Sequence, residues 1–173
     1  MENEVLKALK ERRSIRKFRE TQVSDEQLAA VLEAGTWAPT AKGMQIPIIV
    51  AVQKEEDRKK LTELNALFAP QSDPYYGAPT ILLVLRPANA PTGVMDASAV
   101  TTNMLLAAHA VGLGACWINR AQYMFETREG KELLKQWGIE GNWQGVTSIA
   151  LGIPAQEAPA PKPRKENYCY IIR

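Results

Sequence analysis

Histidine and cysteine are scarce in this chain of 173 residues, which has one histidine and two cysteines. Metal sites with nitrogen and sulfur ligands need several such residues at short spacing, and these three do not have it. A zinc site therefore has almost no support. Cys116 and Cys169 lie far apart among apolar residues, so we expect buried free thiols in a reducing compartment, the cytoplasm.

The chain also lacks any run of about 18 apolar residues, which a membrane-spanning helix requires. Its first residues, Met1–Glu4, are polar and acidic, so we expect neither a signal peptide nor a membrane partner. The 21 basic side chains are nearly matched by 19 acidic ones, and the net charge is only +2. This balance gives no reason to expect nucleic acid as a partner. A hydrophobic share of 46% is enough for one domain with its own core.

Positive charge is nevertheless concentrated in the segment Arg12–Lys17, at the end of a predicted first helix. On a helix, this spacing would place like charges four residues apart on one face, at a small cost in stability. A bound anion would remove that conflict, because guanidinium groups bind phosphate through paired hydrogen bonds and the Ser14 hydroxyl adds another. The alternative is a solvated basic helix end, since cations favour helix C-termini.

Hydrophobic periodicity and turn residues divide the chain into alternating helices and buried strands. A capping box at Ser24–Gln27 predicts a helix start, and the nearly uncharged stretch Asp96–Ala110 predicts a buried central helix. After the first helix, the predicted helices are residues 24–35, 55–64, 96–110 and 127–137, and the predicted strands are 46–52, 79–85, 115–119 and 146–153. The alternation indicates an α/β or α+β domain with a covered sheet.

Two segments stand apart from this pattern. Residues 66–77 hold Pro70, Pro74 and two tyrosines, and we expect a mobile loop or lid there. Residues 154–173 begin with a proline-rich stretch that must stay extended and end in an apolar pentapeptide, Tyr168–Ile172. We therefore predict a core of residues 1–153 and an arm of residues 154–173 that docks on its own body or on a second subunit.

The sequence contains no hydrolase motif, since neither Gly-x-Ser-x-Gly nor a glycine-rich phosphate loop is present. His109 lies in the predicted central helix, where a core or helix-end role is more usual than a catalytic one. The polar groups that remain lie on predicted loops, without an acid–base pair; they are Arg12, Arg13, Ser14, Arg16, Thr40, Lys42, Gln45, Asn119, Lys162 and Arg164. Such a set is expected where a bound cofactor carries the reaction.

Four stretches of the chain resemble, in the same order, motifs of the nitroreductase family of FMN flavoproteins. They are the opening motif Arg12–Arg16, the loop Ala38–Gln45, the helix and strand Asn103–Ile118, and the closing motif Leu151–Pro154 with Lys162–Arg164. Each stretch is a weak signal alone. Together they make almost the whole chain similar to this family.

The resemblance implies an α+β fold, a three-layer sandwich in which helices flank a mixed, mostly antiparallel central sheet. It also implies an intertwined homodimer with FMN at the interface, NADH or NADPH as co-substrate and a small-molecule acceptor. The implied reaction passes hydride from NAD(P)H to nitroaromatics, quinones or flavins by a ping-pong mechanism.

The resemblance also assigns residues to the cofactor, while no side chain is implied as catalytic because FMN carries the chemistry. Arg12, Arg13 and Ser14 would bind the phosphate and ribityl chain, and Arg164 with Lys162 would close on the phosphate. Arg16 would lie near the pyrimidine edge, where a cation stabilises reduced flavin. The residues implied to line the ring are Pro39, Thr40, Ala41, Gly43 and Gln45 from one subunit, and Trp117, Ile118 and Asn119 from the other.

Gly43 departs from the family pattern, which often has Asn at this position. The missing amide removes one hydrogen bond to the ring, worth about 1 kcal/mol, for which Lys42 could compensate. Tyr75, Tyr76 and Phe125 are candidate stacking or lid residues, with ordinary packing equally open.

Three other functions stay open on the sequence alone. One is a specialised flavoprotein of the same family, for dehalogenation or flavin breakdown. The others are a flavin-binding protein without catalytic activity and a plain anion-binding module built on the basic segment.

Overall fold

Helices and strands alternate along the computed structural model of this chain, which describes residues 1–68 and 73–173. The helices are α1 (Glu4–Glu11), α2 (Asp25–Thr36), α3 (Glu55–Ala66), α4 (Gly93–Ala110), α5 (Ala121–Glu126) and α6 (Arg128–Gln136). The strands are β1 (Ile48–Val52), β2 (Thr80–Pro87), β3 (Gly114–Ile118) and β4 (Trp143–Gly152). A short 3₁₀ turn, Ala41–Gly43, lies between α2 and β1.

The strands pair antiparallel in one sheet, in the order β1-β2-β4-β3. Strand β2 is central, with Leu83 opposite Val50 of β1 and Ser148 of β4. Residues 80–85 of β2 are all buried, as expected of a strand with helices over both faces. A parallel bridge between Ser14 and Ala115 adds the opening segment to the edge of β3.

Two hydrophobic cores lie on opposite faces of this sheet. Leu82 and Val84 of β2 face a core formed with residues of α2 and α4, such as Val31 and Met104. Ile81, Leu83 and Leu85 of β2 face a second core, which is built mainly with residues of α3, α5 and α6. The three layers confirm the α+β sandwich that the sequence and the resemblance predicted.

The local signals placed most elements correctly. Ser24 Oγ accepts a hydrogen bond from Gln27 N (3.2 Å), and Gln27 Oε1 accepts one from Ser24 N (3.4 Å), so the capping box of α2 forms as predicted. Helix α5 was missed, because it is only six residues long. It follows Arg120 in a left-handed conformation (φ 78°), and Thr127 separates it from α6.

Apart from Ala66, the described part of residues 66–77 is a loop, as predicted, while its mobility stays a prediction. Ala66 belongs to α3, and Asp73 organises a tight turn by accepting hydrogen bonds from the N–H groups of Tyr75 (2.9 Å) and Gly77 (2.6 Å). Tyr75 and Phe125 are fully buried in the core, so neither is a lid residue, whereas Tyr76 is half-buried. Pro70 lies outside the described residues.

Residues 155–173 are all exposed in the single chain, while the first residue of the predicted arm, Pro154, still pairs with Phe18. The N–H of Ala155 donates to the carbonyl of Lys17 (2.9 Å). The division into a core and an arm stays a prediction. Cys116 is a buried free thiol as expected. The same expectation was wrong for Cys169, which is exposed in the single chain because it belongs to this arm.

Candidate functional site

The opening basic segment is extended, not helical. Helix α1 ends at Glu11, and Arg12 has already left the helical conformation (φ −52°, ψ 131°). The N–H of Ile15 donates to the carbonyl of Ala115 (3.1 Å), and the Ile15 side chain is buried. Like charges therefore do not stack on a helical face, and the conflict that a helix would create at this spacing does not arise. Because side chains alternate along extended backbone, Arg12, Ser14 and Arg16 share one side of the segment.

The thiol of Cys116 on β3 shows where that side faces. Burial raises the pKa of Cys116, while the charges of Arg16 and Arg12 and the hydroxyl of Ser14 act in the opposite direction. All three predicted site residues are thus close enough to influence one thiol. They form a single cluster beside β3, which we call the basic cluster (Arg12, Ser14 and Arg16).

Arg13 does not belong to this cluster, because its guanidinium group forms hydrogen bonds at the C-terminal end of α1. Its Nη1 donates to the carbonyls of Lys10 (2.6 Å) and Arg12 (2.8 Å), so it caps the C-terminal end of the helix. Its Nε is buried and has no hydrogen-bond partner among the described residues. A contact between Arg13 and phosphate stays a prediction.

The charge of the basic cluster fits an oxyanion. Among the described residues, every ion pair lies outside the segment Arg12–Lys17, so no carboxylate neutralises it. A cleft of about 220 Å³ adjoins this segment; Arg12 is the member of the basic cluster that lines it, together with Arg13 and with His109 at the end of α4. Guanidinium groups and a hydroxyl without acidic partners are a suitable donor set for the phosphate of FMN.

The loop predicted to line the flavin is ordered by a buried carboxylate. Asp96, in the first turn of α4, accepts hydrogen bonds from the N–H of Ala41 (3.0 Å) and from the Thr92 hydroxyl (3.1 Å). Thr40 Oγ1 accepts a further hydrogen bond from Gln45 N (3.0 Å). Sequence reasoning missed Asp96, although an acidic residue starting an otherwise uncharged helix was a usable signal.

The backbone of this loop explains the residue at position 43. Lys42, Gly43 and Gln45 all have positive φ angles, of 54°, 66° and 51°. Glycine adopts this left-handed region freely, and asparagine is the side chain that tolerates it best. Gly43 is therefore compatible with a position where the family often has asparagine.

The end of β3 supplies the other predicted ring contacts. Trp117 is half-buried, and its indole N–H donates to Asn119 Oδ1 (2.9 Å), with Asn119 exposed. The Ile118 side chain is buried in the core, so a ligand on this surface would meet its backbone.

The two parts of the predicted site lie at opposite ends of α4. Asp96, which holds the 39–45 loop, is at its start, and His109, which lines the cleft beside the basic cluster, is at its end. At 1.5 Å per residue these ends are about 20 Å apart. The two parts of the predicted site are therefore separated in one chain, and we call them the loop half-site (residues 39–45) and the phosphate half-site (the basic cluster with residues 117–119).

The closing motif is not brought to the phosphate half-site by its own chain. Lys162 and Arg164 are exposed, and Arg164 donates from Nε (3.2 Å) and Nη2 (2.7 Å) to the carbonyl of Lys162. No hydrogen bond joins either side chain to the basic cluster within residues 1–68 and 73–173. Their role in closing on phosphate stays a prediction.

Behind the phosphate half-site lies a buried polar group, the hydroxyl of Tyr75. It shares a hydrogen bond with Ser148 Oγ (3.1 Å), and burial raises the pKa of Tyr75 to about 12. The ordinary pKa is 10.0, so the unfolded chain loses this proton first as pH rises. The contribution of the protonated Tyr75 to the free energy of unfolding is therefore complete below pH 10 and is lost towards pH 12.

We expect Tyr75→Phe to remove this pH dependence. The free energy of unfolding of the parent should fall by about 2–3 kcal/mol more than that of the variant between pH 9 and 12, since one pKa unit corresponds to about 1.4 kcal/mol. Urea denaturation at several pH values measures the difference. Tyr168→Phe, at an exposed position, is the matched control and should follow the parent. Parallel curves for parent and Tyr75→Phe would contradict the assignment.

The described residues contain neither a helix suited to a membrane nor a cluster of metal ligands. Among them no helix combines the length and apolar character needed to cross a membrane. Nor do three or more histidine, cysteine or acidic side chains come together there as ligands for a metal ion.

Comparison with known proteins shows what this fold resembles. The model of the nitroreductase family matches residues 9–75 and 69–153. A protein of Archaeoglobus fulgidus, provisionally named NADH dehydrogenase/NAD(P)H nitroreductase, is 34% identical over 89% of this chain and 87% of its own length. The NADPH-flavin oxidoreductase of Vibrio harveyi is 29% identical over 94% of this chain and 70% of its own.

A solved structure agrees with these relatives. The crystal structure of a nitroreductase with bound FMN from Bacteroides fragilis superimposes with a TM-score of 0.89 and 28% sequence identity. The match covers 99% of this chain and 100% of that one. The family match extends over most of the sequence and the fold match over nearly all of it, in the order that the four motifs predicted, and the chain therefore belongs to the nitroreductase family.

Proposed function

We propose that this protein is an FMN-dependent NAD(P)H oxidoreductase. The observation that carries the proposal is the basic cluster, which places two guanidinium groups and a hydroxyl beside β3, with no neutralising carboxylate among the residues that the structure describes. The relatives named as NAD(P)H or NADPH enzymes, and the FMN of the Bacteroides fragilis structure, support the same function. When bound, FMN would accept a hydride, two electrons and one proton, from NAD(P)H, leaving NAD(P)⁺, and would pass it to an electron-poor acceptor.

The chain's own residues would bind and orient the cofactor. Arg12 and Ser14 would hold the phosphate and ribityl chain, and Arg16 would place a positive charge near the ring, where it stabilises negative charge that develops on reduction. Trp117 and Asn119 would cover one side of the ring. The acceptors that fit such an open, stacking site are nitroaromatics, quinones and flavins, each taking the place that NAD(P)⁺ has left.

The active form would be a homodimer in which each site combines the phosphate half-site of one chain with the loop half-site of the other. Separation of the half-sites by the length of α4 supports this arrangement. The apolar face of α1 supports it too, because Val5 and Leu9 are exposed and no residue of α1 is buried in the single chain. The arm would dock on the partner, which would also bring Lys162 and Arg164 to a phosphate. The two unpaired cysteines fit a reducing compartment, and we infer the cytoplasm.

Anaerobic titration of the purified protein tests the function. FMN-loaded protein should show a visible flavin spectrum that bleaches on addition of NADH or NADPH, and the colour should return with menadione or nitrofurazone. Bound FMN that neither nicotinamide bleaches would indicate a flavin-binding protein without this activity. Bleaching without turnover of either acceptor would favour a specialised member of the family. Failure to bind FMN at all would overturn the proposal.

A further inference from the structure

A buried polar network holds the backbone that follows β3 from behind. Asn65 on α3 is completely buried; its Nδ2 donates to the carbonyl of Asn119 (2.9 Å), and its Oδ1 accepts from Nε of Arg120 (3.0 Å). Ser148 on β4 is also completely buried and donates to the carbonyl of Ile118 (3.3 Å). Two consecutive carbonyls are therefore held on the inner side of the loop.

Because the peptide group is planar, the inward direction of these two carbonyls makes the N–H groups that follow them point outward. In a trans peptide the C=O group and the following N–H group point in opposite directions. The N–H groups of Asn119 and Arg120 consequently face away from Asn65 and Ser148. Within the part of the chain that the structure describes, neither N–H donates a hydrogen bond.

The conformation of Arg120 shows that the loop needs this support. Its φ of 78° lies in the left-handed region, which is unfavourable for a residue with a side chain. Asn65 contacts both the carbonyl before Arg120 and the Arg120 side chain, so one carboxamide stabilises the strained residue from two sides. Successive amides next to a left-handed residue form a concave surface that attracts lone pairs and negative charge.

We propose that Asn65, together with Ser148, is a positioning residue that orients the amides of Asn119 and Arg120 towards the ring of bound FMN. The inference rests on the proposed function, because it assumes that FMN occupies the phosphate half-site. Neither side chain touches the cofactor, since both are buried behind the loop. Their contribution is to preset the amide direction, so that hydride transfer meets donors already in place.

Hydrogen exchange with and without FMN tests this role directly. In the parent protein, FMN should slow amide exchange both in residues 12–16 and in residues 118–121. Asn65→Asp keeps the shape of the side chain but removes the Nδ2 donors. It should lose the protection of residues 118–121 while keeping that of residues 12–16. Thr62→Val is the matched control one turn earlier on α3, because the Thr62 hydroxyl bonds only within its helix, to the carbonyl of Arg58 (2.9 Å).

Stopped-flow reduction gives a second readout. The rate constant for flavin reduction at saturating NAD(P)H should fall about tenfold in Asn65→Asp, as expected when a transition-state hydrogen bond is misplaced. The KM for the nicotinamide should stay within about twofold, because the same interaction is not made in the ground state. Ser148→Ala removes the other half of the network and carries the test if Asn65→Asp does not fold.

The outcomes separate this inference from the function on which it rests. If FMN protects residues 12–16 but not 118–121 in the parent, the positioning role is wrong and the cofactor site stands. If FMN protects no segment of the parent, the proposed function fails and the positioning role with it. Parent-like protection and reduction rate in the folded variants would also overturn the role of Asn65 and Ser148.

Discussion

Replacement of both Arg12 and Arg16 by alanine is expected to weaken FMN binding by about 100-fold or more. Each hydrogen bond between a guanidinium group and a charged partner contributes about 1.5–3 kcal/mol, and about 1.4 kcal/mol corresponds to a tenfold change in Kd. Both side chains lie on the side of the opening segment that faces Cys116 and belong to no ion pair among the described residues. Their loss should therefore reduce cofactor affinity more than stability.

Titration of apoprotein with FMN, followed by flavin fluorescence, measures this effect. Lys17→Ala is the matched control, because Lys17 belongs to the same extended segment but its side chain alternates to the other side. It should bind FMN within about threefold of the parent, since the charge of an exposed side chain that faces away from the phosphate contributes little. Thermal unfolding of the apoproteins checks that all variants fold. A double variant that binds FMN as tightly as the parent would refute the phosphate half-site.

Removal of the arm after Gln156 is expected to abolish the dimer that we propose. Four large apolar side chains near the end of the arm are at least 74% exposed in the single chain; they are Tyr168, Tyr170, Ile171 and Ile172. Full burial of an aliphatic or aromatic side chain contributes about 1.5–3 kcal/mol, so their docking on a partner would be a major part of the association energy. A chain that ends at Gln156 keeps the hydrogen bond between Ala155 and Lys17, so the core should keep its fold.

Light scattering coupled to size exclusion measures the outcome, with the truncated chain appearing as a monomer or as an aggregate. Ile171→Asp with Ile172→Asp should weaken the dimer in the full-length chain, because two charges cannot be buried without partners. Glu166→Gln, a polar change within the same arm, is the control and should leave the dimer intact. An unchanged dimer after truncation would show that the arm does not hold the two chains together.

Local interactions account for the parts of the fold that the sequence predicted well. The capping box of Ser24 and Gln27 and the apolar run of β2 depend on neighbours a few residues apart or on simple burial. The basic segment shows the limit of such reasoning. Its place after the first helix was predicted, but its extended conformation depends on the bond between Ile15 and Ala115, a hundred residues further along the chain.

The site was only partly predictable for the same reason. Cationic and hydroxyl groups favour anion binding by their chemistry, so Arg12, Ser14 and Arg16 could be proposed from the sequence, and the family resemblance then assigned them to FMN. Asp96 and Asn65 were not named, because each makes its decisive contact with backbone more than 50 residues away, at Ala41 and Asn119. The acidic start of an uncharged helix was a signal for Asp96, whereas nothing in its residue type distinguishes Asn65 from other polar side chains on helices.

By itself, the order of residues determined the alternation of helices and strands, the family and the chemical character of the ligand. These properties depend on short-range propensities and on the fixed charges of side chains. Only the tertiary structure decided that Arg13 turns to its own helix, that Tyr75 and Phe125 belong to the core, and that residues 155–173 are exposed in the single chain. The direction of a side chain and the distance between two loops depend on how the layers pack. Packing brings together residues that are far apart in the chain, and no local sequence pattern predicts such contacts.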